Sequence, residues 1–254
     1  MNGFAAFLKK EMREIRHTWR LWVVPGILVF VGLTTPILTA ATPALLRATA
    51  KSTPGVVIKF PPAIARDSYL QFVGNLEQMV LIALVITGAA LIAGERRSGT
   101  IALVLTKPVS RTGFVIAKGL SELALLAAAT VLGTAICIVG TVAIFDSSLI
   151  GTAVAGVVLW FVFAAMMIAL MLLLSAAFNG QAPAAGVGIG IYIGFSVLSG
   201  FPLIRDHSPT GLLTASSRLL KHESAALAWP LATTIVLGAV FLAGAVWRFR
   251  SREL

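Results

Sequence analysis

The sequence predicts an all-α integral membrane protein of six transmembrane helices, with an N-terminal amphipathic interfacial helix and a short cytoplasmic helix between spans two and three. Three observations carry that reading. The 254 residues are 58% hydrophobic and 12% charged, with a mean hydropathy of +0.95, more apolar surface than one soluble core can hide. The apolar residues gather in six runs, each near or above the roughly 20 residues of helix that cross the hydrocarbon. The charges cluster at the ends of those runs, as they must where the surrounding solvent is lipid.

The chain opens on "MNGFAAFLKKEMREIRHTWRLW". Phe4, Phe7, Leu8, Ile15, Trp19 and Trp22 recur at spacings close to one helical face, and Lys9, Lys10, Arg13, Glu14, Arg16, His17 and Arg20 fall largely elsewhere. A helix so patterned lies along the inner leaflet, tryptophans at headgroup depth and bases toward anionic lipid. Residues 1–20 are therefore expected as an interfacial helix and 21–254 as one six-span domain. The small-x-small stretch Ala48-Thr49-Ala50 has the look of a cleavage site. The long basic stretch and long apolar run fit a retained anchor better than a signal peptide.

The spans fall at about 21–42, 76–93, 114–145, 151–178, 183–204 and 226–247. With the N-terminus inside, 13 lysines and arginines lie on the cytoplasmic side and 7 on the other, which favours both termini in the cytoplasm. The third and fourth runs exceed what a bilayer requires, so they tilt or extend as helix into water. The first outer loop, about 43–75, is long and proline-containing, with room for short amphipathic helices of its own, and the last, about 205–225, contains "SPTGLLTASSRLL".

Within the spans, chemistry is sparse. Glu77 is the one acid in a span away from a cytoplasmic mouth, in the first turn of run two, and reads as an acid at the outer interface. Glu122, one turn after Lys118, reads as its i, i+4 partner. The fifth run, "APAAGVGIGIYIG", sets Gly186, Gly190 and Gly194 four residues apart. That stripe is a surface for close helix packing, within the chain or between subunits.

Several functions are excluded or disfavoured. The net charge of +10 is spread over segment ends and forms no stripe, so nucleic acid is not the partner. One cysteine, Cys137, allows no intramolecular disulfide and no thiolate metal cluster. His222-Glu223 lacks the second histidine of a zinc-protease motif, and Ser199-Gly200 near His207 matches a serine dyad in composition only. No G-x-x-x-x-G-K-[ST] occurs, so if ATP drives this chain another polypeptide binds it. An integral-membrane enzyme or a noncatalytic scaffold remains the alternative, though no polar residues converge at membrane depth.

The odd stretch is "GERRSGTIALVLTKPVSRTGFVIAKG", 94–119, with five basic residues against Glu95. It reads as a helix end at Gly94-Glu95, a break at Ser98-Gly99, a short apolar helix, a stop at Lys107-Pro108 and a new helix start around Ser110 to Thr112. In that order Glu95, Gly99, Thr100, Pro108, Ser110, Arg111 and Lys118 resemble the signature of ABC-2 type permeases, the membrane subunits of ATP-binding-cassette exporters. The length, the six runs, the basic N-terminus and the missing P-loop fit the same family, in the compact subgroup whose ATPase is a separate chain.

The resemblance implies a permease for a lipid-like, peptide or drug-like solute in the inner membrane of a prokaryote. It implies that the segment is a coupling helix docked in the ATPase subunit, with Glu95, Arg96, Gly99, Thr100, Pro108, Arg111 and Lys118 at the contact. Gly99 and Pro108 would set the helix ends, and Glu95 and Arg111 would supply polar partners. The implied unit is two permeases, identical or paralogous, with two ATPases. This chain would hold no cofactor and no metal of its own, ATP and magnesium being bound by the partner, and it would touch membrane lipids throughout.

Overall fold

A computed structural model describes residues 3–15, 18, 20–50, 61–97, 99 and 110–251. All regular structure there is helical. Helix α1 is Gly3–Ile15, α2 Arg20–Ala50, α3 Ala65–Asn75 and α4 Leu81–Arg97, the last two joined by a π-helical turn, Leu76–Val80. Helices α5 Arg111–Ile144, α6 Ile150–Ala177 and α7 Gln181–Leu198 follow. The chain ends with α8 Pro202–His207, α9 Thr210–Leu220 and α10 Ala228–Arg250.

Among the described residues, six helical stretches are long and apolar enough to cross a membrane: Leu21–Ala48, Ala65–Arg97, Arg111–Ile144, Ile150–Ala177, Gln181–Leu198 and Ala228–Arg250. They correspond to the six apolar runs, with three differences. The first span continues as helix through Pro43 to Ala48, into what the sequence reads as outer loop. The second span begins 11 residues earlier than its apolar run, because α3 carries Arg66, Asp67, Ser68 and Gln71, which mask it in a hydropathy count. The fifth stops at Leu198, where a bend separates it from the short α8.

Three prolines lie inside α2, at 25, 36 and 43, yet the helix continues through them. Each proline removes a backbone donor. Hydroxyls of Thr34, Thr35, Thr39 and Thr42 turn back onto carbonyls one turn earlier, within the same helix. Pro36 itself lies against Gly140 of α5, where an added Cβ would come within 2.8 Å of its ring. Below it, a Cβ on Gly133 would meet the Leu28 carbonyl oxygen at 2.8 Å, and one on Gly32 would strike the Gly133 carbonyl. The α2–α5 crossing is thus built on missing side chains, the close approach that helices in lipid rely on.

Helix α6 is the centre of the bundle, flanked by α4, α9 and α10. Trp160 and Phe163 on it are buried. Gly88 of α4 faces Met171, and Ser175 closes the same seam. Its Oγ accepts from the amides of Ile92 and Ala93, both at 2.9 Å, and donates to the Ala89 carbonyl at 2.8 Å. Helix α9 folds back into the bundle, its Ser216 hydroxyl donating to the Gly156 carbonyl at 2.8 Å.

Candidate functional site

The site builds outward from the second turn of α5. Ser110 caps that helix, its hydroxyl accepting from the Gly113 amide at 3.0 Å, which confirms the expected helix start. Two turns on, Lys118 is 1% exposed, among the largest fully buried side chains in the chain. A buried ammonium is tolerated only when paired, and Lys118 is paired twice. Its Nζ lies 2.5 Å from Glu95 Oε1 at the end of α4 and 3.0 Å from Glu11 Oε2 on α1. The ring of Phe114, one turn earlier, adds a face 5.1 Å from the nitrogen.

Glu11 is carried by the α1 face that is otherwise apolar, for Phe7, Glu11 and Ile15 are the buried residues of that helix. Phe7 stacks on Phe114 at 5.5 Å and Phe114 on Phe249 of α10 at 5.0 Å. The aromatic column and the ion triad together fasten α1, α4, α5 and α10 at one end of the bundle. Lys10 bridges Glu11 and Glu14 on the outer side of α1. Partial burial works to lower the Lys10 pKa, but the hydrogen bonds and charges of Glu14 and Glu11 outweigh it and hold the group above its ordinary value.

Two arginines close helix ends. Arg96 donates to the carbonyls of Phe178 and Ala176 at 3.2 and 3.4 Å, where α6 terminates. Arg111 donates to the Arg250 carbonyl at 2.9 Å, the last residue of α10. Terminal carbonyls have no intrahelical partner and a negative partial charge, so a guanidinium is the matching cap. Gly99 turns the chain after α4 with φ +71°, its amide 3.2 Å from the Arg96 carbonyl, a left-handed conformation suited to glycine.

Glu95 and Lys118 are thus brought together, while Arg96 turns to the end of α6 and Arg111 to the end of α10, with Gly99 at the turn after α4. Thr100 and Pro108 lie outside the described residues, as does the short helix expected between them. The glycine stripe of α7 splits from the packing expected within the chain. A Cβ on Gly186, Gly190 or Gly194 would meet nothing within 4 Å, whereas Gly188 faces Met171 and Val85.

Sequence reasoning missed Glu11. The signal was there, an acid at i+4 from Phe7 and i−4 from Ile15, in the middle of the apolar face. Glu11, Glu14 and Glu95 bring ligand oxygens within 4.8 Å of one another, but Lys118 and Lys10 already supply the positive charge of that cluster. Chemically the cluster is a clamp, holding three helices by charge.

Residues 5–254 match the model of the family described as ABC-2 family transporter protein. The chain belongs to the ABC-2 transporter family. It is a multi-pass membrane component of a transporter, and the charged clamp lies where the second span ends and the third begins. It is similar over its whole length to an uncharacterized transmembrane protein, YxlG, of Bacillus subtilis, with 24% identity over 259 residues, 100% of this chain and 99% of that one.

Proposed function

We propose that this ABC-2 chain is the permease subunit of an exporter, moving a lipid-like, peptide or drug-like solute with energy from a separate P-loop ATPase that binds the ATP and magnesium. It sits in the cytoplasmic membrane of a prokaryote with both termini inside. The stretch from Glu95 to Lys118 is the contact with the ATPase. The observation that carries this reading is the Lys118 clamp, which ties both ends of that stretch to each other and to α1. A push delivered between residues 98 and 110 then moves α4 and α5 together as one body, the kind of rigid shift that switches a pathway between its two faces.

A second permease copy or a paralogue completes the unit, and the open glycine face of α7 supports a helix contact there. The test is affinity purification of the solubilised chain from its host, with mass spectrometry of what accompanies it. A stoichiometric P-loop ATPase, lost when residues 95–111 are replaced by a neutral linker, supports the permease reading. Its absence under mild conditions returns the basic hairpin to a lipid anchor.

A further inference from the structure

Helix α4 is buried nearly all round, but it leaves one narrow stripe open. From the π-helical turn downward, Gln78, Met79, Ile82 and Ile86 are exposed, while the residues between them are buried. Glu77 stands at the head of that stripe. Counted from Arg97 at 1.5 Å per residue, Glu77 lies about 30 Å up the helix, near the outer edge of the hydrocarbon, and Ile86 close to its middle.

The π turn decides what Glu77 offers. The amide of Leu81 reaches five residues back to the Leu76 carbonyl, so the ladder widens by one residue here. The Tyr192 hydroxyl of α7 donates to the main-chain carbonyl of Glu77, and the Asn75 amide donates to Thr35 of α2 at 3.2 Å. Oxygen Oε1 of Glu77 is buried with no hydrogen-bond partner, and among the described residues no lysine or arginine pairs with the carboxylate. A buried acceptor left open costs free energy that a ligand's donor or charge recovers, and π turns of this kind recur at functional sites.

The geometry points to Glu77 as the receptor for the cationic head group of an amphipathic cargo, an alkylammonium or its equivalent, whose chain lies along Met79, Ile82 and Ile86 toward the middle of the membrane. This rests on the permease reading and narrows its substrate class. Tyr192 is a positioning residue, because it acts on the carbonyl of the turn and so on where the carboxylate stands.

The probe is radiolabelled dodecyltrimethylammonium, which keeps its charge at every pH, with dodecanol as the neutral control, both added to the chain in nanodiscs. Glu77→Gln should weaken binding of the ammonium by about tenfold or more, the loss expected when one side of a buried charge pair is removed, and leave dodecanol unchanged. Glu77→Asp should restore part of the affinity, which guards against a folding defect in the glutamine variant. Equal affinity of wild type and Glu77→Gln for the ammonium, or no ammonium binding by wild type, overturns the assignment. So does a wild-type dimer in which cross-linking places a second copy's base on Glu77. ATPase capture is scored separately on the same preparations. Capture without probe binding defeats this site alone, and probe binding without capture defeats the exporter reading while leaving the site.

Discussion

Lys118 Nζ stands 2.5 Å from Glu95, 23 positions earlier, and 3.0 Å from Glu11, 107 positions earlier. One buried ammonium therefore holds three helices that the sequence keeps far apart. Removing it takes away the one cation that bridges Glu95 and Glu11, with Lys10 left beside Glu11 alone. Lys118→Met should cost about 3–5 kcal/mol, the range for breaking a buried ion pair from one side. Thermal unfolding in detergent checks it. The triple variant Lys118→Met, Glu11→Gln, Glu95→Gln should recover most of the loss, and failure to recover would show that packing, not charge, dominates.

The two sets of glycines should separate cleanly. Gly133→Leu forces side-chain atoms into the Leu28 backbone, which cannot give way, and overpacking of this kind costs about 1–3 kcal/mol or more. Gly190→Leu meets open space within the chain. It should leave single-chain stability unchanged while weakening self-association, read by mass photometry across a dilution series. Equal stability losses in both variants would sink the distinction.

Ser175→Ala removes the acceptor of the Ile92 and Ala93 amides and the donor to the Ala89 carbonyl. The expected loss is about 1–3 kcal/mol, the cost of unsatisfied buried polar groups. Hydrogen exchange should quicken at residues 89–93 before it quickens in α5. Uniform protection in the variant would mean that the helix ladder satisfies these groups unaided.

What the sequence disclosed and what it hid divide along one physical line. Hydropathy, glycine, proline and capping signals are local, so the six spans, the Ser110 cap and the Gly99 turn were legible from neighbours in the chain. Contacts across the bundle were not. Gly32 and Gly133 are ordinary span glycines until α2 crosses α5, and the more regular stripe at 186, 190 and 194 drew attention that the single-chain packing does not repay. The π turn at Leu76–Val80 has no composition of its own. The Tyr192 hydroxyl that bonds its carbonyl comes from α7, more than a hundred residues away.

The segment spanning α8 and α9 carries a pH-sensitive contact. Arg205 Nε is 3.1 Å and Arg218 Nη1 is 3.4 Å from Asp206 Oδ1. The Arg205 hydrogen bond is the largest influence, and with the charges of Arg205 and Arg218 and the Arg218 hydrogen bond it outweighs the opposing effect of desolvation and holds the Asp206 carboxyl below its ordinary 3.8. A depressed folded-state value means that the stabilising contribution is present above the ordinary value and is lost as pH falls through the depressed one. Exchange protection in α8 and α9 should therefore drop as pH falls below that range. Asp206→Asn should abolish the step and leave α6 unaffected.

Coupling is the prediction closest to function. Arg111 holds the C-terminus of α10 and Glu95 holds Lys118, so on the proposed coupling each links the stretch between α4 and α5 to a different pair of helices. In the reconstituted complex with its ATPase, Glu95→Ala or Arg111→Ala should leave insertion intact and basal hydrolysis near wild type, while abolishing the stimulation of hydrolysis by transported solute. Arg111→Lys should fall between, because a lysine keeps the charge at the α10 carbonyl but not the planar fork. Stimulation unchanged in both alanine variants would mean that the stretch fastens the bundle without transmitting the ATPase stroke.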